Sequence, residues 1–469
     1  MNSKCQVFTP QDYVKVMLDS LDYKHNLFGK KIMENSCGDG NILLVVVQRY
    51  IDDCRNKGFS TTKIRNGLSK DIAGFEIDSK QYEKCIQRLN ALIDKNNIPS
   101  VTWNIRCEDY LRAKDADKYD YIVGNPPYIT YSELEHDEQK YLKKKFTSCS
   151  EGKFDYYYAF IEKGINTLSN LGRMAYLIPS SVYKTVFGRK IRNIMLPLVE
   201  SIIDYTQEKL FADALVKSSI IVFDKTNSIN EIKYVNTSLN STELIKRSSL
   251  NEKWSFKEIK KGTKRFGDYF RVSHSVATLY NSAFVLSDWK IDKNGNYICN
   301  GITIEKSVVR EAASPKNMRN QKDEKIIFPY SYDNNHNLIR YDEVNFKERF
   351  PGAYKYLSQN KKPLKKRKKD KSSLWFEYGR SQALAHLDYD KAMISTIISG
   401  KPNIYKLKKD CVPYAGMYII PLSDNYSVED AITILQEKDF MDYVSNIGIP
   451  INGNSVRVTS KDIENYWFK

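Results

Sequence analysis

The stretch "YDYIVGNPPYIT", residues 119–130, holds side chains whose types and spacing suit a reaction. Asn125 carries an amide oxygen, Pro126 and Pro127 have no backbone N–H and a fixed φ, and Tyr128 offers an aromatic face. An exocyclic aromatic amine is a poor nucleophile because its lone pair is delocalised into the ring. Two acceptors aimed at its two N–H groups draw the nitrogen towards tetrahedral geometry. The Asn125 side-chain oxygen and the Pro126 carbonyl can form that pair, with both prolines fixing their direction and Tyr128 lying against the ring. Such a loop would act by positioning and electrostatic pre-organisation. The plainer alternative is a proline-rich turn that only ends a strand.

Three carboxylates upstream occupy comparable places. Glu34 ends the run "KKIMENS" and precedes a turn containing Gly38 and Gly40, where glycine lets backbone approach a ligand closely. The dinucleotide pattern G-x-G-x-x-G is incomplete, since position 43 is Leu. Glu34 would repel a pyrophosphate but suits a cationic amino group. Glu76 ends "DIAGFEID", the ribose-diol position of a nucleoside-binding α/β domain. Asp109 follows "VTWNIRC" and can accept from an adenine amine. Each taken alone reads as a solvated strand-end residue. Three in succession, followed by Asn125 to Tyr128, describe a pocket for a nucleoside bearing an amino acid, namely S-adenosylmethionine.

Positioning these residues at strand ends requires an alternating chain. Seven β-rich runs between residues 30 and 225 are separated by amphipathic stretches such as "NILLVVVQRYIDDCRNKG" and "SKQYEKCIQRLNALIDKN". The alternation predicts an α/β fold, a Rossmann-like, mostly parallel, seven-stranded sheet with helices on both faces. The Asn/Ser/Thr-rich residues 226–244 read as the way out, giving domains over 1–240 and 241–469, the second of α+β type.

Net charge is +16, and its distribution is uneven: residues 1–240 carry 34 Lys and Arg against 30 Asp and Glu, whereas 241–469 carry 39 against 27. The excess in the second half suits contact with a polyanion, or a solvated basic surface. The run "KKPLKKRKKDK", with Lys365, Lys366, Arg367 and Lys368 at its centre, is either a phosphate contact, an import-like signal or a solvated loop. No apolar run approaches spanning length and "MNSKCQVFTP" lacks signal-peptide character, so no membrane association and a cytoplasmic location are expected. The eight cysteines form no C-x-x-C pair, and with five histidines no metal site is expected.

The order of these motifs resembles that of the gamma-class amino-methyltransferases of DNA, the TaqI-like adenine-N6 methylases of restriction–modification systems. "FTPQDYVKVML" is similar to the N-terminal cofactor motif, placing Thr9 and Pro10 at the cofactor. "ENSCGDGNIL" resembles the cofactor loop and implies Ser36 beside Glu34, Gly38 and Gly40. "GFEID" resembles the ribose strand and adds Ile77 to Glu76, "CEDYL" supplies Asp109, and "NPPY" is similar to the catalytic loop. "LFADALVKSSIIVF" resembles the segment whose leading aromatic, here Phe211, packs against the target base. Asn35 departs from the family pattern, which has proline after the acidic residue. The resemblance is thinner between 245 and 360 and resumes in "LWFEYGRSQ" and "NGNSVRVTSKDIENYWF", similar to a target-recognition domain. It implies methyl transfer from S-adenosylmethionine to the N6 amine of an adenine flipped out of double-stranded DNA. It also allows for a separately encoded cognate restriction endonuclease.

Alternatives remain open at this point. The same loop serves cytosine-N4 or RNA amino-methylation, and a degenerate copy would be an inactive DNA-binding specificity protein. The triplet "EIK", residues 258–260, is a weak metal-nuclease hint that arises easily by chance.

Overall fold

Short apolar runs ended by Gly, Pro or acidic residues become β1 (Ile32–Glu34), β2 (Ile72–Glu76), β3 (Asn104–Cys107), β4 (Tyr119–Gly124), β5 (Leu168–Pro179), β6 (Val199–Asp204) and β7 (Ser218–Asp224). The hairpin β8 (Glu231–Asn236) and β9 (Ser241–Lys246) continues the same sheet. The computed structural model describes residues 9–114, 117–206, 217–250, 252–257, 262–286, 288–451 and 455–469.

The sheet has nine strands in the order β3-β2-β1-β4-β5-β7-β6-β8-β9, rather than seven. β1 to β5 are parallel to one another, and β7 runs antiparallel between β5 and β6. The chain therefore leaves β1 in one direction through β2 and β3, then in the other through β4 and β5. The crevice beyond the carboxyl ends of β1 and β4 is the topological switch point, where open α/β sheets bind ligands.

The two faces are covered by different helices. Helices α1 (Gln11–Ser20), α2 (Asn41–Asn56), α3 (Thr61–Asp71) and α4 (Ser79–Lys95) contribute Leu18, Val46, Leu68 and Leu89 to one core with Ile32 and Ile72. Helices α5 (His136–Lys145), α6 (Tyr157–Thr167) and α7 (Arg189–Met195) contribute Leu142, Phe160 and Ile191 to the other, with Met33 and Phe75. Successive residues of a strand point to opposite faces, which is why Ile32 and Met33 enter different cores.

The chain divides into Met1–Phe256 and Lys257–Lys469, not at residue 240. The segment read as an exit is the β8–β9 hairpin. Its Asn, Ser and Thr residues lie in the turns and at the strand ends, while Ile232 and Tyr234 are buried and join β8 to the core. The second unit contains small antiparallel sheets, including one ordered by Phe270–His274, Met417–Pro421, Lys391–Ile394 and Ile404–Leu407, together with helices such as Val428–Gln436 and Lys438–Ile447. It is of α+β type, as the patterning predicts.

Gly40 caps α2 in the left-handed region, at φ 86°. A Cβ there would lie 2.7 Å from the Cys85 Sγ on α4. Gly40→Ala is expected to cost about 1–3 kcal/mol through backbone strain and overpacking. Adding Cys85→Ala should recover only the packing part. Denaturant unfolding checks this, and an unchanged midpoint would contradict it.

Candidate active site

A cavity of about 1050 Å³ opens at the carboxyl ends of β1 to β4. Thr9, Glu34, Ser36, Gly38, Glu76, Ile77, Asp109 and residues 125–128 all line it. The residues drawn from five separate stretches of sequence thus meet at the switch point of the sheet.

The β1 loop is bound tightly to the end of β2. The Gly38 N–H donates to Glu76 Oε2 at 2.8 Å, and the Asp78 N–H donates to Glu76 Oε1 at 2.8 Å. Each Glu76 oxygen can accept a second hydrogen bond, and the residue lines the cavity, so Glu76 is both the tie between two loops and a candidate acceptor. The Cys37 N–H adds a bond to the Phe75 carbonyl at 2.9 Å. Asp39 also lines the cavity but is paired with Lys84 at 2.9 Å and Arg88 at 2.8 Å, both on α4.

Glu34 differs from these. Its side chain is only 2% exposed, and its Oε2 has no hydrogen-bond partner among the described residues. Burial drives its carboxyl well above the usual range, and the neighbouring acidic groups Cys85, Glu76 and Asp39 push the same way, against a bond from the Leu43 N–H. A buried carboxylate oxygen without a donor is costly unless a ligand brings one. That oxygen fits the cationic amino group of an amino acid.

The loop after β4 is held from three sides. The Ser36 hydroxyl donates to the Asn125 carbonyl at 3.2 Å, which joins it to the β1 loop. The Tyr128 hydroxyl donates to the Leu177 carbonyl of β5 at 2.9 Å, and its ring meets Tyr157 of α6 edge to face at 6.0 Å. The Tyr156 N–H donates to the Ile129 carbonyl at 2.9 Å. Gly124 permits the approach: a Cβ there would stand 2.9 Å from Asn35 Oδ1 and 3.3 Å from the Tyr176 ring. Asn35, the departure from the family pattern, is buried and donates through its amide to the Tyr176 hydroxyl of β5, so it pins the loop where a proline could not donate.

Some expected residues lie elsewhere. Pro10 is exposed and starts α1, its carbonyl accepting from the Tyr13 N–H at 3.1 Å. Gly40 packs against α4 rather than lining the cavity. Phe211 and residues 258–260 lie outside the described residues. Lys365, Lys366 and Lys368 are exposed, but Arg367 is half-buried and donates to the carbonyls of Leu364 at 2.9 Å, Trp375 at 2.7 Å and Glu377 at 2.9 Å. Arg367 is therefore a structural cation of the second unit, and the expectation of a phosphate contact passes to the three lysines.

The sequence reading missed Arg112, Glu138, Tyr156 and Phe160, which also line the cavity. Tyr156 and Phe160 belong to an apolar helical run that reads as core. Glu138 sits in "ELEHDEQKYLKKK", whose charge density reads as a solvated helix. No spacing rule ties either to the loop. Among the described residues no helix is long and apolar enough to cross a membrane.

Residues 24–211 match the model of the Eco57I restriction-modification methylase family. The chain is 24% identical over 420 residues to the Type II restriction enzyme and methyltransferase RM.Eco57I of Escherichia coli, covering 76% of this chain and 40% of that protein. It is 25% identical over 239 residues to the Type II methyltransferase M.BstVI of Geobacillus stearothermophilus, covering 48% of this chain and 42% of that one. The chain thus spans about two fifths of the length of these relatives. Among solved structures it is similar to the Type IIL restriction-modification enzyme MmeI in complex with DNA, with a TM-score of 0.63 at 15% identity over 97% of this chain and 65% of that one. At that identity the likeness shows the fold.

Proposed function

We propose that this chain, whose residues 24–211 match the model of the Eco57I restriction-modification methylases, is a site-specific DNA methyltransferase acting on the N6 amine of a flipped-out adenine. The observation that carries the reading is the meeting, in one cavity, of the loop 125–128 with a buried Glu34 oxygen that has no hydrogen-bond partner among the described residues. S-adenosylmethionine, when bound, supplies an electrophilic methyl group on a sulfonium. Glu34 would hold its amino group, Glu76 its ribose diol and Asp109 its adenine. Asn125 Oδ1 and the Pro126 carbonyl would accept the two N–H bonds of the target amine as its nitrogen attacks in line, with no covalent intermediate. Tyr128 would lie against the extruded base, its ring held by Leu177 and Tyr157. Phe211 remains a proposed second face for the base.

Calorimetric titration with S-adenosylmethionine, followed by single-molecule sequencing of DNA from cells expressing the chain, tests the reading. Absence of both cofactor binding and modified adenine would overturn it.

Double-stranded DNA is the proposed partner, with the modification role in a restriction–modification system and a cognate endonuclease either separate or on a longer form of the protein. The unit Lys257–Lys469 carries 36 Lys and Arg against 25 Asp and Glu. Neutralising Lys365, Lys366 and Lys368 should flatten the log–log salt dependence of DNA binding by about 0.9 for each phosphate no longer neutralised, with the recognised sequence unchanged. Arg367→Ala should instead lower the melting temperature, because it leaves buried carbonyls without their donor. A normal melting temperature together with a flatter salt slope for Arg367→Ala would reverse this assignment.

A further inference from the structure

We propose that Glu138, on α5, is a further cofactor-binding residue whose carboxylate accepts a hydrogen bond from the adenine amine of the bound nucleoside, with Arg112 as the residue that positions it. The inference rests on the adenosyl-cofactor reading above and deepens it.

The cavity wall beyond β3 is formed by Asp109, Arg112 and Glu138. Arg112 bridges the two carboxylates: its Nε lies 3.2 Å from Asp109 Oδ2, and its Nη2 pairs with Glu138 Oε2. Its guanidinium also lies 4.0 Å over the ring of Tyr141, one turn further along α5. The Tyr141 hydroxyl in turn donates to the Leu111 carbonyl at 3.0 Å. Together these interactions fasten α5 to the loop that follows β3, and a planar, bidentate guanidinium suits that bridging role better than an ammonium.

Within this arrangement the acceptors are unequally used. Asp109 Oδ1 accepts from the Leu111 N–H at 2.8 Å, and Oδ2 faces Arg112. Glu138 Oε2 faces Arg112 as well, but Glu138 Oε1 is shielded from water and has no hydrogen-bond partner among the described residues. Buried polar atoms are normally paired, so this oxygen calls for a donor from a ligand. An adenine amine has two N–H groups, one for Asp109 and one for Glu138. A six-keto purine would instead turn an oxygen towards two carboxylates, which repel it. The pair therefore selects for adenine over hypoxanthine in the cofactor.

The test compares S-adenosylhomocysteine with S-inosylhomocysteine by calorimetry. The wild-type protein should favour the adenosyl compound by about a hundredfold. Glu138→Gln keeps the volume, and its amide can donate to a keto oxygen, so the preference should narrow to about tenfold. Arg112→Met should raise the KM for S-adenosylmethionine about tenfold with kcat nearly unchanged, and Arg112→Lys should restore part of the loss. An unchanged preference in a folded Glu138→Gln protein overturns the role of Glu138. A fall in kcat at constant KM in Arg112→Met overturns the positioning role. If the wild-type protein binds neither compound, the cofactor reading itself fails, and this inference with it.

Discussion

Asn125→Ala is expected to lower turnover by about 10²–10³ while leaving cofactor and DNA binding close to wild type. The side-chain oxygen is proposed to meet the amine most strongly as its nitrogen becomes tetrahedral, so its removal falls on the transition state rather than on either ground-state complex. The backbone of the loop should survive the change. Its anchors are the Ser36 hydroxyl on the Asn125 carbonyl, the Tyr128 hydroxyl on Leu177 and the Tyr156 N–H on Ile129, none of which uses the Asn125 side chain. Single-turnover methylation at saturating cofactor isolates the chemical step. A variant that keeps wild-type turnover removes Asn125 from the reaction, and one that loses cofactor binding assigns it to the cofactor instead. Asn125→Ser should be less damaging than alanine, because a hydroxyl can still accept, though from a shorter reach.

The sequence is legible where one short stretch both forms an element and carries the chemistry. Glu34, Glu76 and the residues 125–128 follow directly from apolar runs that must end at a turn, and all of them reach the cavity. The same local logic fails where a polar composition conceals a strand. Over residues 226–244 Asn, Ser and Thr outnumber the apolar residues, and only pairing with β6 shows that Ile232 and Tyr234 face a core. It fails again for Arg367, which lies in a run of exposed lysines yet supplies internal carbonyls with donors. Charge runs record composition, whereas the fold decides which cation is used up internally. Glu138 is the complementary case, since it becomes a site residue only because Arg112 and Tyr141 bring α5 to the end of β3.

Glu34→Gln should weaken S-adenosylmethionine binding by about 1.5–3 kcal/mol, the range for a hydrogen bond to a charged group. The effect should also depend on pH in a defined direction. Without cofactor, burial and nearby acidic groups hold the Glu34 carboxyl well above its ordinary value, so it keeps its proton to a higher pH than a solvated carboxyl does. An ammonium group favours the ionised form, so binding releases a proton. Wild-type affinity should therefore rise with pH up to the raised pKa and level off above it, while Glu34→Gln shows no such rise. Titration in buffers of different ionisation enthalpy measures the released proton directly. Stability moves the other way. Because the folded pKa lies above the unfolded one, the unfolded chain releases its proton first, and stability falls as pH rises from the ordinary carboxyl range through the folded pKa. Glu34→Gln removes that loss, so it should melt higher than wild type at neutral pH and like it at acidic pH. A variant that is both more stable and poor at binding identifies Glu34 as a carboxylate kept buried for its ligand. Unchanged affinity with raised stability would make it only a costly core residue.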